Sequence, residues 1–135
     1  VTLPTGDQAE PFVDAEDIAD VAAAALLDTT GHHGGRRYEL SGPRALTLAE
    51  ATAEVAEATG RELHYVPVTP EDFRQGMVEA GLPPQLAELV TGIFAETFDG
   101  TDAAPTDGVR QALGREPRDF SDYVRRTAAT GAWNA

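Results

Sequence analysis

The 135-residue chain contains no cysteine, which removes disulfides, thiolate nucleophiles and sulfur-ligated metals together. It contains no lysine either. All ten basic residues are arginine, set against 23 carboxylates for a net charge of −13. A chain so poor in cations is badly equipped to displace the counterions of a phosphate backbone, so no nucleic-acid partner is expected. Long apolar runs are also missing. The longest, residues 21–27, has seven residues, where a membrane helix needs about 20. No basic, apolar and small-residue succession opens the chain, so no secretory signal is read. The expectation is a cytoplasmic protein without a membrane partner. The chain begins at Val1 and not at Met, which reads as processing, trimming or excerpting.

What is present is ordinary for a folded domain. Hydrophobic residues make up 41% and charged residues 24%, enough to form a modest core and too apolar for wholesale disorder. The excess acidity reads as a solubility device.

Periodicity organises the rest. Residues 1–4 and 11–13 are short extended candidates around the polar turn at residues 5–8. Asp14 can cap a helix, with Asp17 as a weaker capping-box partner three residues on. Ile18, Val21, Ala22, Ala25 and Leu26 then form one apolar stripe at helical spacing. The helix ends near Asp28, before a loop holding Gly31, His32, His33, Gly34 and Gly35. Residues 37–42 read as a strand. Thr47 and Glu50 make a capping box for a helix that ends at Gly60. A strand follows over residues 63–68, then a helix with Pro70 at its first position. Pro83 and Pro84 open the clearest stripe in the chain: Leu86, Leu89, Val90, Ile93 and Phe94. Two short helices, residues 107–113 and 119–129, finish. The predicted order is β-β-α-β-α-β-α-α-α-α.

Three stretches carry a family resemblance: PFVDAEDIADVAAAALLD, RRYELSGPRALTLAEATAEVAEATGRELHYVPVTPEDF, and GVRQALGREPRDFSDYVRRTAA. In this order they resemble the NmrA-like branch of atypical short-chain dehydrogenase/reductases. In that family a late Rossmann strand leads into an FVD-x-x-DIA helix. A YELTGP-type strand, a T-x-x-E helix and a YVPV-type strand follow, then a helical substrate-side lobe. Gly114, Arg115, Pro117, Arg118 and Phe120 match the closing GRxPRxF signature. The resemblance covers about residues 1–127.

The implied fold class is α/β: the C-terminal part of a Rossmann-like NAD(P)-binding fold plus a mainly helical substrate-side lobe. Residues 1–45 would be the end of the sheet with its flanking helix, and residues 46–135 the lobe; the alternative is that the two form one compact unit. The resemblance implies NADP(H) for a full-length member. This sequence, however, has no G-x-x-G-x-x-G or G-x-G-x-x-G turn after a strand. The glycines at 31–35 follow a helix and precede a strand, the reverse of the required context. No Tyr-x-x-x-Lys pair is available without lysine, although the family often lacks that pair.

Each candidate site has a plainer reading. Asp14 and Asp17 resemble a carboxylate pair, but their helix positions already give them structural work. Phe12 and Val13, at the C-terminal end of a Rossmann-type strand, would face the ligand crevice. Phe73, Met77, Leu89, Ile93 and Phe94 read first as core. The resemblance would also let them line an apolar substrate pocket. His32 and His33 lack a third and fourth metal ligand. His64 is assigned nothing, and Glu39 and Glu88 read as solvated carboxylates.

No catalytic or metal residue is assigned. The resulting expectation is the substrate-binding portion of an NAD(P)H-dependent oxidoreductase without its nucleotide-binding half, binding no cofactor and inactive alone. The intact protein would transfer hydride to a small apolar acceptor. The alternative is a regulatory or small-molecule-binding module acting as a homodimer without redox chemistry. The partner would be either the missing N-terminal half or a second copy, because helix and strand faces that normally pack on a sheet need a replacement.

Overall fold

The computed structural model describes residues 1–101 and 103–133. It forms two compact units, Val1–Glu10 with Leu46–Ala103, and Pro11–Ala45 with Ala104–Ala135. The boundary expected at residues 45–46 is one of three crossings. The other two fall at 10–11 and at 103–104, the latter inside the polar stretch 99–105; they arise because the last helices join the unit of the first.

In the first unit, β1 (Thr2–Leu3) pairs in parallel with β4 (Val66–Pro67), and β2 (Ala9–Glu10) pairs antiparallel with β3 (Leu46–Thr47). The Tyr65 hydroxyl fastens β1 from the side. It lies 2.8 Å from Oγ1 of the buried Thr5 and 3.2 Å from the Leu3 carbonyl oxygen. β3 runs directly into α2 (Leu48–Thr59), and the expected capping box is complete: Glu50 N–H donates to Thr47 Oγ1 at 3.2 Å, and Thr47 N–H to Glu50 Oε2 at 2.8 Å. Thr69 caps α3 (Pro70–Glu79) with proline at its first position. α4 (Pro84–Thr97) packs on α3, where the rings of Phe73 and Phe94 meet edge-on at 5.3 Å.

The core reading of the α4 stripe needs correction. Leu86, Leu89 and Ile93 are 45%, 60% and 53% exposed, and the fully buried α4 residue is Ala87. A small residue lets the helix approach its neighbour closely, and the long side chains are left outside the contact.

The second unit holds α1 (Ala15–Leu27), α5 (Gly108–Leu113) and α6 (Phe120–Ala129). Its apolar core is thin: Val21, Val109 and Val124 are buried. The unit also buries a carboxylate. Asp17 is fully buried and takes a hydrogen bond from Arg115 at 2.7 Å, another from the Arg118 guanidinium, and a third from the Arg118 backbone N–H at 2.7 Å. Asp17 is therefore no capping-box partner. These bonds turn α1 so that Asp17 and Val21 face inward, while Ile18 and Leu26 of the expected stripe stay exposed.

Two expected strands, residues 11–13 and 37–42, form no ladder. One backbone bond joins them, from Gly42 N–H to Pro11 O at 3.1 Å. Thr106 supplies what a neighbouring strand would: its hydroxyl donates to Glu39 O at 2.5 Å and its N–H to Ser41 Oγ at 2.7 Å. Backbone also comes very close here. A Cβ on Gly108 would lie 1.9 Å from Glu39 O, so only glycine fits. The element order matches the predicted one letter for letter, but its second and third strands are Ala9–Glu10 and Leu46–Thr47.

Asp17→Asn should lower the unfolding free energy by about 3 kcal/mol, because two arginines lose their buried partner. Asp20→Asn, which touches the same arginines from a side chain 46% exposed, should cost under about 1 kcal/mol. Urea denaturation of both variants checks this; equal losses would show that burial of Asp17 is not what matters.

Candidate functional site

The second unit contains a cleft of about 220 Å³ lined by Phe12, Val13, Asp14, Ala15, Phe120 and Tyr123. Its floor is a row of rings. Phe12 and Phe120 have centroids 5.5 Å apart at 39°, and Phe120 and Tyr123 are 6.0 Å apart at 37°. Such tilted neighbours leave parts of each face open to a further ring. Trp133 extends the row, edge-on to Tyr123 at 6.1 Å.

Each ring is placed by identifiable backbone bonds. Phe12 sits in the extended segment tied by Gly42 to Pro11. A Cβ on Gly42 would lie 2.1 Å from Phe12 O, so that approach too requires glycine. Phe120 opens α6 directly after Asp119, which caps the helix by accepting from Ser121 N–H at 2.9 Å. Arg44 grips the same carboxylate with two parallel bonds of 2.7 and 2.8 Å. That grip holds the Asp119 carboxyl well below the usual carboxylate range; burial opposes the shift and the Ser121 N–H adds to it.

Asp14 is the one carboxylate in the lining, and it is already engaged. Its Oδ1 accepts from Glu16 N–H at 2.9 Å and its Oδ2 from Arg126 at 2.5 Å. Burial works against its charge, but these partners outweigh burial and lower its pKa. Both carboxylate oxygens thus serve the fold. Tyr123 differs. It is 38% exposed, and among the described residues no hydrogen bond engages its hydroxyl.

The seven residues expected to line a pocket fall into two groups. Phe12 and Val13 line the cleft. Phe73, Met77, Leu89, Ile93 and Phe94 belong to α3 and α4 of the first unit, with Phe73, Met77 and Phe94 half-buried and Leu89 and Ile93 exposed. Phe120 and Tyr123 were missed because their spacing reads as the ordinary apolar side of a short helix. The signal available was the aromatic pair itself, at i and i+3 beside a capping aspartate.

The histidines do not form a metal cluster. Among the described residues no three His, Asp or Glu side chains gather to hold an ion. His33 Nδ1 instead lies 2.9 Å from the Tyr38 hydroxyl, and its N–H donates to Asp28 at 2.8 Å. No described helix is long and apolar enough to cross a membrane.

No protein-family model matches the chain. The chain is similar to an uncharacterized oxidoreductase, YesF, of Bacillus subtilis, with 32% identity over 98% of this chain and 46% of that one. It is similar to an NAD(P)H azoreductase of Xenophilus azovorans, with 35% identity over 94% and 44%. Among solved structures it superposes on the NADPH-dependent quinone oxidoreductase QOR2 of Escherichia coli, complexed with NADPH, at a TM-score of 0.77 and 23% identity, over 93% of this chain and 44% of that one. The chain spans less than half the length of each. Its fold is a part of the Rossmann-like fold of NAD(P)-binding reductases.

The dinucleotide bound by that neighbour needs an open helix N-terminus or a loop of free N–H groups for its pyrophosphate. Four of the helix N-termini here are closed by side chains. Asp14, Thr47 with Glu50, Thr69 with Asp72, and Asp119 fill the N-termini of α1, α2, α3 and α6 with their own oxygens. In the glycine loop, His33 N–H goes to Asp28, Gly34 N–H to Gly31 O and Arg36 N–H to His33 O. The N-termini of α4 and α5 carry no side-chain cap.

The Asp119–Arg44 pair gives the ring row a pH limit. A carboxyl whose folded pKa is lowered contributes stability that is present above its unfolded value and lost as pH falls through the folded one. Unfolding free energy should therefore decline progressively below about pH 4. Asp119→Asn should flatten that decline, as followed by denaturation at a series of pH values. An unchanged slope would remove the pair from the account.

Proposed function

We propose that this chain is the C-terminal, substrate-side portion of an NmrA-like NAD(P)H-dependent oxidoreductase. The observation that carries the reading is the match to oxidoreductases over nearly all of this chain and under half of theirs. The whole protein would reduce a small apolar acceptor. This chain would contribute walls: Phe12 and Val13 with Phe120 and Tyr123 in one unit, and Phe73, Met77, Leu89, Ile93 and Phe94 in the other. Residues 1–45 would include the end of the Rossmann-like sheet with its helix, and residues 46–135 the substrate-side lobe. The role of this chain's side chains is to bind and orient the acceptor and to keep water from it. NADP(H) would be held by the rest of the protein. Cytoplasmic residence accords with this role.

Calorimetric titration of the 135-residue chain with NADPH should show no micromolar binding. The product of a longer reading frame with a glycine-rich turn should oxidise NADPH with an aromatic acceptor. Micromolar binding by the short chain would overturn the division of labour. An inactive long product that still binds NADPH would overturn the enzyme reading.

A second reading, a homodimeric binding module, is favoured by the exposed apolar residues of α1, where Leu26 and Leu27 are 86% and 79% exposed. A second copy would cover them against mutual repulsion of two chains at −13. Sedimentation should then show a dimer fraction that rises with salt. A monomer at every salt concentration counts against it.

A further inference from the structure

We infer that the Phe12–Phe120–Tyr123 cleft is a binding site for one flat, uncharged aromatic ring bearing a hydrogen-bond acceptor. The claim deepens the oxidoreductase reading by naming a substrate class, and part of its test is independent of that reading.

Four observations converge. First, size: an apolar cavity of about 150 Å³ accepts benzene, and this cleft of about 220 Å³ takes one substituted ring. A polypeptide helix, about 10 Å across, does not enter it. Second, shape: three rings in a row, tilted 39° and 37° to one another, offer faces and edges on which another ring can stack offset or edge-on. A saturated ring of equal volume gains only dispersion and burial there.

Third, charge: the one carboxylate in the lining, Asp14, has both oxygens engaged by Glu16 N–H and Arg126. The pair leaves no net charge to attract a cation. An anion would sit against a carboxylate at the cost of its own hydration. A neutral ligand is the one favoured. Fourth, polarity: Tyr123 is one of the lining residues, and its hydroxyl, which no described group engages, is a donor for an acceptor carried on the ring.

The chain has one tryptophan, and its ring lies 6.1 Å from that of Tyr123. The Trp133 indole N–H resonance is therefore a single, local reporter of occupancy. The experiment titrates the 135-residue chain with acetophenone and, separately, with cyclohexyl methyl ketone, which has the same skeleton without the aromatic ring. Acetophenone should shift the Trp133 signal with a Kd about fivefold to tenfold lower than the saturated ketone. Phe120→Leu, which keeps an apolar side chain and loses the ring, should reduce that selectivity to about twofold. Tyr123→Phe should keep the selectivity and weaken acetophenone by about threefold to tenfold. Circular dichroism matching the parent spectrum shows that each variant is folded, and Glu57→Gln on α2 should leave both ketones unaffected.

Equal affinity for the two ketones overturns the proposal. So does saturable binding that leaves Trp133 unmoved, because the ligand then sits elsewhere. The failures of the two claims are distinguishable. Ring-selective binding with a long product that reduces nothing leaves the cleft standing and removes the reductase. An active long product whose KM for an aromatic ketone or quinone is unchanged by Phe120→Leu removes the cleft and leaves the reductase.

Discussion

The second unit depends on a carboxylate placed where a hydrophobic side chain would be expected. Asp17 is fully buried, and its two carboxylate oxygens are held by Arg115 and Arg118. A buried ion pair is a poor source of net stability but a strong source of geometry, since few arrangements satisfy it. Here the geometry has consequences. It fixes the rotation of α1, so that the Asp17–Val21 line faces inward. It also draws the 114–118 turn against α1, and that turn feeds directly into Asp119 and Phe120. The same segment therefore anchors the core and delivers a ring to the cleft.

Arginine is used economically in consequence. The second unit holds eight arginines and ten carboxylates, net −2, and the first holds two against thirteen, net −11. The chain's acidity is thus almost wholly a property of one unit. In the other, Arg44, Arg115, Arg118 and Arg126 are committed to carboxylates that organise helix starts. Lysine would serve poorly in these places. Arg44 meets Asp119 with two parallel bonds, and Arg115 and Arg118 each reach both Asp17 and Asp20. Those are tasks for a planar fork and not for a single ammonium.

Local chemistry was legible in the sequence wherever neighbours in the chain decide it. The caps of Asp14, Thr47 and Thr69, the proline at the start of α3 and the ends at Asp28 and Gly60 all follow from residues within four positions. What failed needed distant partners. Residues 37–42 alternate like a strand, but a ladder requires another strand, and the side chain of Thr106 takes its place. The α4 stripe reads as core, yet three of its five side chains are exposed, and on α1 only Val21 of the stripe is buried. Periodicity gives a helix two faces and does not say which of them is covered. On α1 a charged residue outranked the leucines, because an unpaired Asp17 would be costlier to bury than Leu26 is to expose. The resemblance located Phe12 and Val13. It marked Phe120 only as part of the closing signature and said nothing of Tyr123; their meeting with Phe12 across more than a hundred residues is purely tertiary.

The exposed faces and the enclosed cleft call for different kinds of cover. Leu86, Leu89 and Ile93, or Leu26 and Leu27, are long aliphatic side chains on convex helix surfaces. Such surfaces gain by burying area and discriminate little between partners of similar size. The cleft is concave, small and walled by rings held through glycine-only backbone approaches, a capping aspartate and a two-bond guanidinium grip. Rings fixed in this way lose little further entropy when another ring joins them, so their orientation can be converted into selectivity. Rigid placement matters more than apolar area in deciding which of these surfaces recognises a particular molecule. It is the second unit, with its thin valine core and buried charges, that has the rigid placement.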